Sequence, residues 1–292
     1  MIIVTGATGA LNGGTVEHLL TLVPADRIGV SVRDVAKARH LAERGVRVRR
    51  GSYDDPAGLL DSFEGADRVL LVSSNDPGVD TVPLHRAGIE AAVKAGARRI
   101  LYTSHQHVGL GSPFGPARVH AATEALLADS GVAWTSLRNG FYAHSLDWFL
   151  GPWRETGVIA APADGPVSWT ERGDEAAAAA VVLAGQRPFD GPVTLTADAA
   201  VTFDDIAALA SELTGREVRR VVLDDEEWVA GQVAHGSPEP MARMLLGFFQ
   251  AARLGRFDGV DPLLGQLLGR TPRTVRDLLA DRAAARGHTG GT

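Results

Sequence analysis

The chain has 292 residues, a formal net charge of −6 and no cysteine. The missing thiols exclude disulfides, thiolate nucleophiles and zinc–thiolate sites, and a pI of about 5.8 argues against a general nucleic-acid surface. No apolar run approaches the ~20 residues that a membrane span requires, and the nine histidines show no metal-binding spacing. We therefore expect a soluble cytoplasmic protein without a signal peptide, a metal, a membrane contact or a nucleic-acid partner.

Short apolar segments alternate with amphipathic segments through the first half of the chain. The predicted strands are Ile2–Thr5, Ile28–Val32, Val46–Arg49, Val69–Val72, Ile100–Thr103 and Trp134–Leu137. The predicted helices are Thr15–Leu22, Val35–Glu43, Pro56–Phe63, Val82–Ala95 and Val119–Ala128. This alternation predicts an α/β fold, a Rossmann-type doubly wound parallel sheet whose ligand lies at the carboxyl ends of the strands.

The N-terminal segment passes from an apolar run into closely spaced glycines and then into helical sequence. This order suits a pyrophosphate, because a tight turn lets the backbone approach the phosphates and the following helix offers unpaired N–H groups. Gly6, Gly9 and Gly13 are spaced differently from the usual G-x-G-x-x-G, and Asn12 stands where a third glycine belongs. We expect the Asn12 side chain to crowd the approach of helix to strand. An ordinary β–α turn is the alternative.

The alternation ends in a glycine- and proline-rich segment at residues 151–166. An alanine-rich helix follows at Asp174–Leu183, where the small side chains indicate close packing rather than function. We then expect a strand at Pro192–Ala197 and a helix capped by Thr202 or Asp204.

The C-terminal part of the chain differs in character from the first half. Beyond Arg219 the sequence predicts mostly helix, with Leu245, Phe248 and Phe249 on one face. The predicted domains are 1–150 for NAD(P) binding, with a return at about 167–198, a smaller mostly helical substrate-side lobe at 199–285, and a disordered tail at 286–292.

The end of the second predicted strand indicates which dinucleotide binds. An acidic residue about 20 positions beyond the glycine turn would favour the ribose of NAD, but this chain has Arg33 there and Lys37 one helical turn further. A guanidinium and an ammonium together suit a 2′-phosphate. Asp34 would oppose the phosphate, and the two cations could instead solvate a helix start. We predict NADP(H) as the preferred cofactor, with NAD(H) as the alternative.

Seven short motifs, in the same order along about residues 1–280, resemble the NmrA-like group of atypical short-chain dehydrogenases/reductases. They are Val4-Thr-Gly-Ala-Thr-Gly9, Val32-Arg-Asp-Val-Ala-Lys37, Gly51-Ser-Tyr-Asp54, Tyr102-Thr-Ser104, His120-Ala-Ala-Thr-Glu124, Ser136-Leu-Arg-Asn-Gly-Phe-Tyr142 and Thr202-Phe-Asp-Asp205. Within that group the chain is most similar to NADPH-dependent quinone reductases and triphenylmethane-dye reductases. The resemblance implies a Rossmann domain and a small C-terminal lobe with the substrate between them. It does not identify the substrate.

The predicted cofactor-binding residues follow the glycine turn and the later strand ends. They are Gly6, Thr8, Gly9, Ala10, Leu11, Asn12, Arg33, Lys37, Asp54, Ser73, Ser74, Asn75, Thr103, Asn139 and Phe141.

The catalytic pattern departs from that of the better-known short-chain dehydrogenases, which use a Ser and a Tyr-x-x-x-Lys pair. Ser104 stands at the Ser position, but Pro116 replaces the Tyr and His120 replaces the Lys. Because proline cannot donate a proton, the usual acid for interconverting carbonyl and alcohol is absent. We predict Ser104 and His120 as catalytic residues. His120 would bind a ribose hydroxyl or protonate the acceptor, and simple packing as a half-buried histidine is its alternative.

Hydride transfer to an electrophile that needs little protonation remains feasible without that acid. A quinone and the central carbon of a cationic dye are such acceptors, and a flat acceptor requires aromatic walls. We predict Phe114, Tyr142, Trp148 and Trp169 as substrate contacts, with ordinary packing as the alternative for each. The predicted function is an NADPH-dependent quinone or dye reductase that acts on a small aromatic acceptor, as a monomer or a homodimer.

Two other functions fit parts of the sequence. A non-catalytic NADP(H)-binding redox sensor or regulator of the NmrA type would fit the missing Tyr and the departure at Asn12. An isoflavone-type reductase or an isomerase would use a Lys where this chain has His120, and that substitution argues against it.

Overall fold

The computed structural model describes residues 1–74, 79–185 and 189–287, with side chains to residue 281. The chain forms two compact units. Unit 1 comprises Met1–Leu110, Arg118–Asn139 and Gly173–Leu195, and unit 2 comprises Gly111–Ala117, Gly140–Arg172 and the chain from Thr196 onward. The chain passes from one unit to the other five times, after Leu110, Ala117, Asn139, Arg172 and Leu195.

The strands of the described chain are β1 (Ile2–Thr5), β2 (Ile28–Val32), β3 (Arg47–Arg50), β4 (Arg68–Leu71), β5 (Arg99–His105), β6 (Ala133–Asn139), β7 (Phe141–Tyr142), β8 (Val158–Pro162), β9 (Trp169–Thr170), β10 (Gly191–Leu195) and β11 (Arg219–Leu223). Seven of them form the sheet of unit 1, in the order β10-β6-β5-β4-β1-β2-β3. Every pairing in this sheet is parallel. The predicted doubly wound sheet is confirmed. Its strand order reverses beside β1, where such folds bind ligands.

The helices of the described chain are α1 (Ala10–Leu22), α2 (Arg39–Ala42), α3 (Pro56–Ser62), α4 (Thr81–Lys94), α5 (Gly115–Ala128), α6 (Leu146–Phe149), α7 (Trp153–Thr156), α8 (Arg172–Ala184), α9 (Phe203–Thr214), α10 (Asp225–Ala234), α11 (Glu239–Arg253), α12 (Leu263–Leu268) and α13 (Val275–Gly287). A 3₁₀ turn at Val35–Ala38 precedes α2. Aspartates begin several helices: Asp55 accepts from the Gly58 N–H and Asp80 from the Val82 N–H. Such caps satisfy N–H groups that a helix leaves unpaired.

Close packing explains the alanine-rich sequence of α8. A Cβ atom placed on Gly14 of α1 would lie 3.1 Å from the Cβ atom of Ala176 on α8. Ala178, Ala179 and Ala180 are buried as well. Small side chains on both helices therefore permit this contact, as the sequence predicted.

The core of unit 2 is a cluster of aromatic rings around Phe248. The ring centroids of Phe141 and Phe149 both lie 4.5 Å from that of Phe248, and Trp169 lies 5.5 Å from it. Phe248 and Phe249 are fully buried, which agrees with their predicted position on the apolar face of a helix. Rings at such distances stabilise the core beyond their buried area.

Two segments of unit 2 differ from the prediction. The glycine- and proline-rich stretch contains β8, and β11 pairs with it in parallel, with Arg219 opposite Val158. Arg220 stabilises this strand pair. Its guanidinium donates a hydrogen bond to the carbonyl oxygen of Ala161 at 2.8 Å and lies 5.6 Å from the ring centre of Phe203. The pairing joins segments far apart in sequence, so local pattern did not predict it.

The start of α9 and the end of the chain bear on two further predictions. Thr202 caps α9, and Asp205 completes a capping box with it, which decides between the two predicted caps. At the C-terminus α13 continues through Gly287, so the first two residues of the predicted tail are helical. Residues 288–292 lie outside the described residues.

Membrane-spanning helices and clusters of metal ligands are both absent from the described residues. No helix among them is long and apolar enough to cross a membrane. No group of three or more His, Cys, Asp or Glu side chains within the same ranges could hold a metal ion.

Candidate active site

The turn between β1 and α1 has the geometry of a phosphate cradle. Gly6 has φ +62°, and a Cβ atom on it would lie 2.7 Å from Cγ1 of Val72. Only glycine fits such a position without strain. The Gly6 N–H donates to the carbonyl oxygen of Ser31 at 3.2 Å, and the Gly9 N–H donates to that of Gly6 at 2.9 Å. These bonds hold the turn against the ends of β1 and β2.

Helix α1 begins at Ala10 with Gly9 at its N-cap, and no side chain of the described chain caps it. Its first N–H groups, including those of Ala10 and Leu11, are therefore available to a ligand. A helix N-terminus also carries a partial positive charge, which favours an anion. Together with the tight turn, this arrangement fits the pyrophosphate of a dinucleotide.

Asn12 makes a hydrogen bond at the approach of α1 to β1 that the sequence analysis did not predict. Asn12 is 1% exposed, and its side-chain amide donates to the carbonyl oxygen of Thr5 at 2.8 Å. The close approach occurs one residue later, because a Cβ atom on Gly13 would lie 3.0 Å from the carbonyl oxygen of Ala7. Asn12 thus joins α1 to the end of β1 from beneath the turn.

A cleft of about 480 Å³ opens at the carboxyl ends of the strands of unit 1. Seven predicted cofactor-binding residues line it: Gly6, Thr8, Gly9, Arg33, Asp54, Ser73 and Ser74. A second hollow of about 380 Å³ beside the same turn is lined by Ala10 and Lys37 as well as by Thr8 and Gly9. Asn75 lies outside the described residues.

The charges at the mouth of the cleft suit an anionic group. Asp34, which we expected to oppose a phosphate, accepts from the Ala36 N–H at 2.9 Å and so caps the 3₁₀ turn. The pKa of Asp54 lies below its usual value because of a hydrogen bond from Ser52 and the nearby Arg33 and Arg50. Arg50 was not predicted. It pairs with Val32 across β2 and β3, and therefore lies close to Arg33 in register.

Tyr53 is a cleft residue that the sequence analysis did not select, although it belongs to the motif that contains Asp54. Its hydroxyl donates to the carbonyl oxygen of Val72 at 2.8 Å and lies 2.9 Å from Oγ1 of Thr5. The Val72 N–H donates to the same Thr5 oxygen at 2.8 Å. These bonds join the β1 turn to the end of β4 and form one wall of the cleft.

Two side chains hold the backbone that follows β4. The Ser73 N–H donates to Oγ1 of Thr103 at 2.8 Å, and the Ser74 N–H donates to Nε2 of His85 at 2.9 Å. Thr103 is 4% exposed, and so supports the cleft from below rather than lining it. His85 was missed because a single histidine in a helix has no distinguishing pattern.

His120 lies beside Tyr102, with 2.8 Å between Tyr102 Oη and His120 Nδ1. Burial, followed by the neighbouring His105 and His85, holds the pKa of His120 well below its usual value. The ring is therefore neutral at physiological pH. It suits hydrogen bonding better than proton donation by an imidazolium.

Ser104 lies in a buried network around Glu124, which the sequence analysis did not select. The hydroxyls of Ser104 and Ser136 donate to Glu124 Oε1 at 2.8 and 2.6 Å. Arg138 donates to both carboxylate oxygens, at 3.0 and 2.5 Å. Because the Ser104 hydroxyl donates its proton to Glu124, this hydrogen bond gives Ser104 a structural role. Nearby, the backbone oxygen of the buried Asn139 accepts from the Gln106 N–H at 2.8 Å.

The predicted aromatic contacts of unit 2 fall into two groups. Phe114, Phe141 and Trp169 are 5%, 7% and 1% exposed and belong to the aromatic core. Trp148 is 58% exposed, and Tyr142 is half-buried. His144 connects these two, since its ring stacks on Tyr142 at 5.6 Å and meets Trp148 edge-on at 6.2 Å. Only the second group presents aromatic surface.

Comparison with known proteins decides the family. Residues 1–270 match the NmrA-like family. The chain belongs to it. This match confirms the resemblance that the seven sequence motifs indicated. One relative, quinone oxidoreductase 2 of Escherichia coli (strain K12), is 37% identical over 279 residues, which cover 95% of this chain and 96% of that protein.

Solved structures of NmrA-like reductases share the whole fold. The E. coli NADPH-dependent quinone oxidoreductase in complex with NADPH has a TM-score of 0.90 at 35% identity, covering 97% of this chain and 100% of that chain. The Citrobacter sp. triphenylmethane reductase in complex with NADP(H) has a TM-score of 0.87 at 33% identity, with the same coverage.

Proposed function

We propose that this chain is an NADPH-dependent oxidoreductase that transfers hydride to a flat electrophilic acceptor such as a quinone or a cationic dye. The cleft at the β1–α1 turn carries the proposal, because its glycines and uncapped helix fit a pyrophosphate. Relatives of matching length that act with NADPH or NADP(H) on quinones and dyes support it. They give no support to the non-catalytic sensor.

Each part of the cleft has a distinct task in cofactor binding. The Gly6 turn and the start of α1 bind the pyrophosphate. Arg33, which lines the cleft, and Lys37, which lines the second hollow beside the same turn, bind the 2′-phosphate. The Asp34 carboxylate is directed at its own turn, where it accepts from the Ala36 N–H. Bound NADPH supplies the hydride, and the chain orients the nicotinamide against the acceptor.

His120 serves as a positioning donor to the nicotinamide ribose. Pro116 occupies the place of the usual acid, and the lowered pKa of His120, caused first by burial, keeps the ring neutral. An acceptor that needs little protonation is compatible with both facts. Ser104 supports this region through Glu124.

The acceptor contacts Tyr142 and Trp148, whose rings offer exposed or half-exposed aromatic surface. Phe114 and Trp169, which we also predicted as contacts, lie in the core of unit 2. A cytoplasmic location and a monomeric or dimeric state stay predictions.

A turnover assay tests the proposed function. Purified protein is mixed with NADPH or NADH and with menadione or a cationic triphenylmethane dye, and the absorbance of the reduced nicotinamide is followed. We expect faster oxidation of NADPH than of NADH with at least one acceptor class. Binding of NADPH without turnover of any acceptor would contradict the proposal and favour a sensor.

A further inference from the structure

Three buried side chains of unit 1, His85, Thr123 and Tyr102, form a hydrogen-bonded series that ends at the half-buried His120. His85 and Thr123 are 2% and 0% exposed, and Tyr102 is 1% exposed. His85 Nδ1 lies 2.8 Å from Thr123 Oγ1 and 3.5 Å from Tyr102 Oη. Tyr102 Oη in turn lies 2.8 Å from His120 Nδ1. The direction of each of these hydrogen bonds depends on which of the atoms carries a proton.

The backbone determines the tautomer of His85. The Ser74 N–H donates to His85 Nε2 at 2.9 Å, so that nitrogen carries a lone pair. Burial lowers the pKa of His85 to about 4, and its ring is therefore neutral at neutral pH. A neutral ring with a bare Nε2 carries its proton on Nδ1.

Thr123 agrees with this assignment. Its hydroxyl donates to the carbonyl oxygen of Val119 at 3.0 Å, which leaves its oxygen to accept from the His85 Nδ1–H. Tyr102 cannot donate to a nitrogen that already carries a proton. Burial also raises the pKa of the Tyr102 phenol, although hydrogen bonding with Ser73 and Thr123 opposes the change, so the phenol keeps its proton. Of the two histidine nitrogens beside it, His120 Nδ1 at 2.8 Å is the one that can accept.

The geometry points to Tyr102 and His85 as positioning residues that fix His120 in the tautomer with its proton on Nε2. In that tautomer Nε2–H is a hydrogen-bond donor. Apart from the bond to Tyr102, His120 makes no hydrogen bond to the part of the chain that the structure describes. This inference rests on the proposed function, in which His120 donates to the nicotinamide ribose. It adds that Tyr102 and His85 determine which nitrogen of His120 carries the donated proton.

The surrounding groups are consistent with a neutral pair of rings. His105 faces His120 with ring centroids 6.2 Å apart, and its Nδ1 lies 2.8 Å from the carbonyl oxygen of Gln106, to which it donates. Burial lowers the pKa of His105 to about 4. The neighbouring histidine rings thus lower the pKa of His120 and favour its neutral form.

Nitrogen-15 NMR of the uniformly labelled protein without cofactor tests the tautomer directly. The protonated and bare ring nitrogens of a neutral histidine give separate resonances, and the His120→Gln protein assigns those of His120. We expect the proton on Nε2 in His120 and on Nδ1 in His85. In Tyr102→Phe, His120 should become a mixture of tautomers. A proton on Nδ1 of His120 in the parent, or an unchanged His120 in Tyr102→Phe, would overturn the inference.

Tyr53→Phe is the matched control. Tyr53 is a second tyrosine whose ring packs edge-on against His85, with centroids 6.3 Å apart, but its hydroxyl donates to Val72 instead of His120. This variant should leave the His120 tautomer unchanged. A tautomer change as large as that in Tyr102→Phe would assign the effect to packing and overturn the inference.

A double-mutant cycle adds a kinetic readout. Tyr102→Phe should lower kcat about threefold to tenfold, the effect of one hydrogen bond. In the His120→Ala background it should lower kcat no further, whereas an equal loss in both backgrounds would contradict a role through His120. If the parent reduces no acceptor, the proposed function fails, while the tautomer measurement still decides this inference.

Discussion

At the scale of single residues, local hydrogen bonds determine which charged side chains beside the cleft are directed into it. Asp34 and Arg33 are adjacent in sequence, yet the Asp34 carboxylate accepts from the Ala36 N–H, while Arg33 lines the cleft. A carboxylate used as a cap is directed at the backbone of its own turn. Arg33 is therefore the residue of this pair that we propose as a cofactor contact.

Arg33→Ala should raise the Michaelis constant for NADPH about tenfold to a hundredfold. This is the effect of losing a charge-assisted hydrogen bond of ~1.5–3 kcal/mol to the 2′-phosphate. NADH lacks that phosphate and should change little. Steady-state kinetics with both cofactors check this, and Arg39→Ala, which removes an exposed cation of α2, is the control. Equal weakening of both cofactors would mean that Arg33 is structural.

Asn12→Ala should lower the free energy of unfolding by about 1 kcal/mol, because it removes a buried hydrogen bond to the carbonyl oxygen of Thr5. Chemical denaturation measures the change. Thr21→Ala on the same helix removes an exposed hydroxyl bond and should change stability by less than about 0.5 kcal/mol. A more stable Asn12→Ala protein would show that crowding outweighs the bond.

At the scale of elements, one buried carboxylate joins the strands β5 and β6 to the helix α5 beside them. Glu124 on α5 binds Ser104 on β5 and both Ser136 and Arg138 on β6. The Glu124 side chain is 8% exposed and that of Arg138 is 29% exposed. Three elements thus depend on one carboxylate, beside the segment that holds His120.

Glu124→Gln should lower the free energy of unfolding by about 2 kcal/mol. Breaking a buried pair leaves a cation without its partner, and the partial exposure of Arg138 limits the loss. Glu239→Gln is the control: this exposed residue pairs with Arg243 one helical turn away, and its replacement should cost about 0.3–0.5 kcal/mol. Equal losses in urea denaturation would show that burial adds nothing to the Glu124 pair.

At the scale of the whole molecule, buried neutral histidines make stability depend on pH. The pKa of His85 falls from 6.5 to about 4 because of burial, and that of His105 falls likewise, although a backbone hydrogen bond opposes the change. Between these values the unfolded chain binds more protons than the folded chain. Stability is therefore complete above pH 6.5 and is lost as the pH falls towards 4.

His85 alone should account for about 3 kcal/mol of that loss, at ~1.4 kcal/mol per pKa unit. Denaturation at a series of pH values should show the free energy of unfolding falling across this range, with a smaller slope in His85→Gln. His18→Gln, which replaces an exposed histidine of α1, is the control. An unchanged slope in His85→Gln would contradict a neutral, buried His85.

The amino-acid sequence by itself determined the parallel sheet, the nucleotide-binding turn and the family. These features depend on local order: an apolar run, closely spaced glycines, and a helix, repeated with the right period. Arg33 and Lys37 stay predicted cofactor contacts, selected by the same local reasoning from their distance along the chain from the turn.

The tertiary structure alone decided which side chains meet. Glu124, Tyr102 and His85 come from different elements, and only the folded sheet brings them beside Ser104 and His120. It likewise placed Phe114 and Trp169 in a core, and paired β8 with β11. Such contacts join positions far apart in sequence, where no local period records them, because burial and hydrogen bonding select partners in space.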